Sequence, residues 1–415
     1  MALTRYPGVY PKIRNIDVFP VDVEGERLVC LRDPTHTAKD PLFVRPAAVF
    51  LLSLLDGRHT PEAIQAAYAR QFGVTIPKDH LDAFVAQLDE HLLLESERYQ
   101  QARQAIEEAF RRSAVREPAH AGTAYEADPE RLRRQMDGFF AAPDGAAAPA
   151  ADPAQGPVAG LMAPHIDFHR GGPCYGGSYG VLGASPEAEL YIILGIGHAG
   201  PRRWFTMTMK DFRTPFGVMK TDRAFVRRVQ AASPFDVFED EFLHKEEHSV
   251  EFQVVCLQYL LQGRADAMIV PILCGSFHPM VLSCTSPAEH PEVRGFLSAL
   301  KQAIAACGKR VCCIAGVDLA HVGMRFGDRE PLTEQYLAHV READLRLLGH
   351  VERLDAEAFF QEICRDQDRR RICGYPAIYT LLSLTEAREG RLTGYDQAVD
   401  AAAQQAVSFA GMVLR

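Results

Sequence analysis

Leu190-Tyr-Ile-Ile-Leu-Gly-Ile-Gly-His198 is an unbroken apolar run that stops at glycine and delivers a histidine. A short run of this kind, bounded by turn residues, suits a strand covered on both faces. Three others share its form: Val158-Ala-Gly-Leu-Met-Ala, Ala267-Met-Ile-Val-Pro-Ile-Leu and Arg310-Val-Cys-Cys-Ile-Ala-Gly-Val. Helical stretches lie between them, at 249–262 and 289–307, and Arg391-Leu-Thr-Gly-Tyr and Ala406-Val-Ser-Phe-Ala-Gly-Met-Val-Leu supply two late strands. This alternation predicts an α/β domain over 115–415, with a central mixed or mostly parallel sheet flanked by helices.

The first hundred residues read differently. Ile16-Asp-Val-Phe-Pro-Val and Arg27-Leu-Val-Cys-Leu form a strand pair about the turn Glu24-Gly-Glu. A helix then runs from Pro46 to a stop at Asp56-Gly57. Thr60-Pro61-Glu62 is an N-cap, a first-turn proline and an acidic first turn. The helix it opens carries Ile64, Ala67, Tyr68 and Phe72 on one face and ends at Gly73. A third helix starts near Pro77 and carries Leu81, Phe84, Val85, Leu88 and Leu92. The expected division is a small α+β winged-helix-like domain over 1–100, a helical linker over 101–114, and the α/β domain, with the Ala/Pro/Gly-rich stretch 141–157 as a flexible loop within it.

Composition narrows the function. The chain has 415 residues and a formal net charge of −9, with no basic block to track a phosphate backbone. The third helix carries Asp79, Asp82, Asp89 and Glu90 against Lys78, so nucleic acid is not an expected partner. No apolar run reaches membrane-spanning length, and the N-terminus lacks the pattern of a secretory signal; the expected location is cytoplasmic. The ten cysteines form no Cys-x-x-Cys pair, which argues against a zinc ribbon or a local iron–sulfur cluster. The adjacent Cys312 and Cys313 fall inside a strand and read as core.

Ligands in such a fold gather beyond the carboxyl ends of the strands. The residues there are Ala163-Pro-His165, Gly195-Ile-Gly-His198 and Asp318-Leu-Ala-His321. A lone histidine is more often structural than a ligand, but three at equivalent strand ends point to a shared site. Glu246-Glu-His248-Ser-Val-Glu251 opens one helix, and Cys373 lies just before another, where free N–H groups are expected to lower a thiol pKa. His169, Cys174 and Tyr175 read as pocket lining at most, beside a glycine-rich loop at 171–180.

Two resemblances follow from these motifs. Leu52-Ser-Leu-Leu-Asp-Gly-Arg-His-Thr-Pro-Glu-Ala-Ile, with Gln87-Leu-Asp-Glu-His-Leu-Leu-Leu-Glu, resembles the PqqD-like peptide-recognition fold. That implies capture of a peptide or partner by strand addition; a bare docking module is the alternative. Ala163-Pro-His165, Leu194-Gly-Ile-Gly-His198, Thr214-Pro-Phe-Gly, Glu247-His-Ser-Val-Glu251, Val270-Pro-Ile-Leu, Asp318-Leu-Ala-His321 and Ile372-Cys-Gly, in this order, resemble the Memo family, which includes protein B of the AmmeMemoRadiSam system. The family resembles class III extradiol (LigB-like) dioxygenases in fold, with cysteine replacing a carboxylate ligand. The resemblance implies His165, His198 and Cys373 as metal ligands. It implies His321 as an acid/base histidine beside Asp318, His248 at the pocket wall, and Glu251 as a lesser contributor.

Two imidazoles, a thiolate and open positions suit iron(II) first, with copper or zinc as alternatives. Cys373 in place of a carboxylate weighs against ring cleavage, since a thiolate donates more charge and can itself oxidise. The expected function is a metal-dependent redox protein of the Memo type, acting on a small molecule or peptide. The family association further implies a multi-component pathway with radical SAM and AMMECR-type partners. The alternatives are a non-catalytic peptide- or partner-binding scaffold that retains the pocket, and a zinc-dependent hydrolase.

Overall fold

A computed structural model of the chain describes residues 10–35, 37–38, 40–140, 156–185, 188–262 and 266–415. They divide into two units, Met1–Arg112 and Ser113–Arg415. The expected loop at 141–157 lies, for 141–155, outside the described residues.

In the first unit, Glu24 and Gly25 take φ of 51° and 84°. Two successive positive values make the tight turn whose twist matches a β-hairpin. The turn joins β1 (Asp17–Val23) to β2 (Glu26–Arg32), and β3 (Leu42–Val44) completes a three-stranded antiparallel sheet in the order β1-β2-β3. The helices are α1 (Ala48–Leu54), α2 (Pro61–Phe72), α3 (Lys78–Glu90) and α4 (Glu97–Arg112). The Thr60 hydroxyl accepts the Ala63 N–H at 3.1 Å, and Gly73 ends α2 at a φ of 71°, as the capping residues predict. Leu31, Leu42, Val44, Leu52, Leu55, Ile64, Leu81 and Leu88 close the core.

The second unit is built on a mixed sheet, of eleven strands among the described residues. They are β4 (Val115–Arg116), β5 (Gly160–Ala163), β6 (Leu190–Ile196), β7 (Phe205–Met207), β8 (Asp211–Thr214), β9 (Gly217–Thr221), β10 (Met268–Cys274), β11 (Val311–Gly316), β12 (His321–Val322), β13 (Gly390–Asp400) and β14 (Gln405–Leu414). The order is β12-β14-β5-β11-β6-β10-β9-β8-β4, with β13 on β14 and β7 on β10. The run β5-β11-β6-β10-β9 is parallel throughout. β14 closes against β5 antiparallel.

Among the described residues of the second unit, nine helices, numbered on from the first, cover both faces: α5 (Pro129–Phe140), α6 (Phe168–Gly183), α7 (Arg223–Ala232), α8 (His248–Leu261), α9 (His278–Ser283), α10 (Pro291–Cys307), α11 (Glu334–Glu352), α12 (Ala356–Asp366) and α13 (Tyr375–Leu384). The alternation of β6 shows the sandwich directly. Leu190, Ile192 and Leu194 meet Phe296, Leu300, Ile378 and Leu381 on one side. Tyr191 and Ile193 meet Leu132, Tyr179, Val254 and Leu257 on the other. All seven β6 residues are buried, which is why the run has no polar interruptions.

One expectation is overturned. The glycine-rich stretch 171–180 is no ligand-facing loop; it lies within α6. Its glycines serve close packing. A side chain at Gly172 would collide with the Phe139 ring, and one at Gly176 with the Phe139 carbonyl. Glycine is a poor helix former, and here the tertiary contact with α5 decides the conformation.

Gly316 ends β11 against the first turn of α8: an added Cβ would come within 2.6 Å of the Ser249 carbonyl oxygen. We predict that Gly316→Ala lowers stability by about 1–3 kcal/mol through this overpacking. Urea unfolding with an unchanged slope but a lower midpoint is the expected result.

Candidate metal centre

His165 follows β5, and its ring is buried, with 2% exposure. The Nδ1 lies 2.9 Å from the carbonyl oxygen of Gly316, the last residue of β11, so Nδ1 carries the proton and donates. That leaves the Nε2 lone pair free. It faces the Cys373 thiol, with Sγ at 3.2 Å. Cys373 precedes α13 and also directs its thiol at the Asp318 carbonyl oxygen, 3.7 Å away.

His198 follows β6 and is anchored by Glu247. The Glu247 carboxylate accepts the His198 backbone N–H at 3.1 Å and stands 3.0 and 3.1 Å from Nδ1. It also lies 3.3 Å from His248 Nδ1 and accepts the Ser249 N–H at 2.9 Å, capping α8. The parallel sheet, the cap and the buried carboxylate therefore bring three histidines together. His165, His198 and His248 each present a ligand atom within 4.8 Å of the others, and this group could hold a metal ion. The His165 ring stands at 71° to His198 and 74° to His248, whereas His198 and His248 stack at 15° with centroids 4.8 Å apart.

Protonation suits metal capture in part. Burial lowers the pKa of His165 to about 3 and holds His248 well below its ordinary value, so both are neutral near pH 7. Burial opposes charge on His198 too, but the Glu247 carboxylate reverses this and raises its pKa well above the ordinary value. Burial raises the Cys373 thiol. The expected lowering at a helix N-terminus is overturned, because desolvation outweighs the lowering by the neighbouring His198.

The remaining expected residues fall as follows. Asp318 Oδ1 accepts the N–H groups of His165 and Ile166 at 3.0 and 3.2 Å, while Oδ2 stands 3.7 Å from His165 Nε2. Burial pushes its pKa up to about 6. His321, on β12, turns Nδ1 to the Leu319 carbonyl oxygen at 3.1 Å and lies within electrostatic reach of Asp318 and His198. His169 is exposed; Cys174 packs with Ile166 and Phe409, and Tyr175 donates to the Ile166 carbonyl at 2.9 Å.

Glu251 is not turned to the histidines. It is wholly buried and paired with Arg116, and it accepts the N–H groups of Ala119 and His120 at 3.0 and 3.1 Å. Arg116 donates onward to the carbonyls of His244 and Glu247, each at 2.9 Å. The pair thus pins the segment that carries Glu247 and His248. Glu247 itself had a legible signal, a carboxylate directly before His248; the Gly316 carbonyl had none, since only folding brings it to the ring.

The Memo-like protein family profile matches residues 116–413. The chain belongs to the Memo family. It is 28% identical to a MEMO1 family protein of Aquifex aeolicus over 407 residues, 97% of this chain and 99% of that protein. It is 27% identical to one of Thermus thermophilus over 362 residues, 87% of this chain and all of that protein. An Archaeoglobus fulgidus member, also 27% identical, aligns over its whole length to 72% of this chain. Among the described residues, no helix is long and apolar enough to cross a membrane.

Removing one partner of a buried ion pair leaves the other charge uncompensated. We predict that Arg116→Met costs about 3–5 kcal/mol at neutral pH in denaturant titrations. Burial alone would raise the pKa of Glu251, but Arg116, His120 and Tyr125 together hold it below the ordinary value. Its stabilisation is therefore present above the ordinary carboxylate range and lost as pH falls through the folded pKa. The gap between Arg116→Met and the wild type should narrow in that acid range.

Proposed function

We propose that this Memo family member is a metal-dependent redox protein holding iron(II), or alternatively copper, through His165, His198 and Cys373. The observation that carries this reading is the paired anchoring of the two rings. Nδ1 of His165 is held by a backbone carbonyl and Nδ1 of His198 by a carboxylate, the outer contacts that fix imidazoles as Nε2 ligands. The Sγ–Nε2 separation of 3.2 Å at Cys373 is close to the ~3.5 Å expected of two ligands on one tetrahedral ion with bonds of about 2.3 and 2.0 Å.

In this reading His248 is a neighbour of the ligands and not a fourth. Its Nδ1 lies 3.3 Å from the Glu247 carboxylate that also anchors His198, and its ring stands at 15° to the His198 ring with centroids 4.8 Å apart. We assign His248 to the wall that receives substrate. His321 and Asp318 are assigned to proton transfer at the open side: Asp318, with its pKa near 6, can hold or release a proton near neutrality. When bound, the metal supplies open positions for a substrate or dioxygen and a Lewis-acid or one-electron centre. The resemblance of the family to class III extradiol dioxygenases supports dioxygen chemistry in this reading, while the thiol at Cys373 separates this chain from ring cleavage. The substrate is proposed as a small molecule or peptide in a multi-component pathway with a radical SAM partner. The N-terminal unit is proposed as a PqqD-like recruiting module, taking a peptide along β1, which among the described residues pairs with β2 alone.

Metal-dependent oxygen uptake by anaerobically loaded protein tests the redox reading; zinc-selective loading without oxygen uptake would contradict it. In titrations with iron(II), Glu247→Gln should weaken affinity about 10–100-fold by releasing the His198 ring. Because His198 and Cys373 are protonated in the metal-free protein, loading should release protons and weaken as pH falls. Calorimetry in buffers of different ionisation enthalpy measures that release, and an enthalpy that does not vary with buffer would contradict it.

A further inference from the structure

We propose that Cys284 and Cys364 form a peroxide-responsive thiol pair that closes to a disulfide joining α9 to α12. Cys284 is the residue that ends α9, at a left-handed φ of 49°, and its side chain is exposed. Cys364 lies in the last turn of α12 and is buried, with 7% exposure. The two helices pack together, and the two thiols lie close enough to influence each other. The chain around Cys284 is held in place. Its backbone N–H bonds the Val281 carbonyl at 3.2 Å, and its thiol points along the same carbonyl at 3.6 Å. Just beyond it, the Ser286 hydroxyl donates to Glu357 of α12 at 2.9 Å. A non-glycine residue in the left-handed region is uncommon, and here it closes the helix at an exposed thiol.

The exposed and buried positions divide the chemistry. The Cys284 thiolate attacks a peroxide oxygen: an S–O bond forms, the O–O bond breaks, and water leaves once the departing oxygen takes a proton. Cys284 is then a sulfenic acid, oxidised by two electrons. The Cys364 sulfur attacks the Cys284 sulfur, an S–S bond forms, and the S–O bond breaks. The departing hydroxide takes the Cys364 proton as a second water. In sum, two thiols and one peroxide give one disulfide and two waters. Burial raises the Cys364 pKa to about 12, which keeps it protonated and unreactive toward free oxidant until a sulfenic acid forms beside it.

The test uses the full chain, reduced, freed of metal by chelator and desalted, then treated with hydrogen peroxide in small excess. Free thiols are alkylated and the peptides mapped without reduction. The expected product is a single cross-linked peptide pair containing Cys284 and Cys364, about 2 Da lighter than its two parts. Cys364→Ser should instead accumulate a Cys284 sulfenic acid that dimedone traps. Recovery of both Cys284 and Cys364 as alkylated thiols while other cysteines oxidise would overturn the proposal. So would over-oxidation of Cys284 in the unmutated chain without any cross-link. Neither outcome bears on the metal ligands, since the test is run without metal.

Discussion

Parallel pairing of β5, β11 and β6 is the constraint from which the site follows. In register, Gly316 of β11 lies beside Ala163 of β5, and Ala315 lies beside Leu194 of β6. Parallel strands end at one edge, so the residues just past those ends must gather there. His165, His198 and Asp318 are those residues. The ladder also sets the orientation of the first ring, because the carbonyl that ends β11 is the acceptor for His165 Nδ1. A shift of register would remove the neighbour and the acceptor together.

Three buried carboxylates complete the arrangement, and each is satisfied differently. Glu247 faces imidazoles and a helix N-terminus. Asp318 faces two backbone N–H groups and keeps one oxygen toward His165. Glu251 faces a guanidinium and two further N–H groups. Burying a carboxylate is costly unless it is hydrogen-bonded, and these partners offset the cost. The result is a rigid surround in which the donors are aligned before any metal arrives. That lowers the ordering required on binding.

The large sheet was legible because its central strands are buried on both faces and therefore read as apolar runs. β6 spans the quoted run Leu190–Ile196 without a missing residue. The N-terminal hairpin and the α2 caps were legible for local reasons: Glu24-Gly25 and Thr60-Pro61 act within a few residues. Glycines at 171–180 misled because their role is to admit Phe139, a contact made only in the folded chain. The histidines and Cys373 could be named from strand ends and motif order. Their protonation could not, since the Cys373 thiol responds to burial and to His198, which only folding brings together. The family resemblance implied Glu251 as a lesser contributor to the pocket, yet its carboxylate is turned to Arg116 instead.

The central claim is that one thiolate and two imidazoles share a metal. X-ray absorption of iron(II)-loaded protein at the metal edge measures this directly. The account predicts nitrogen or oxygen scatterers near 2.0–2.2 Å and one sulfur near 2.3 Å, with the sulfur lost in Cys373→Ser. A shell of nitrogen and oxygen alone in the unmutated protein would contradict it, and would favour a centre held by His165, His198 and His248.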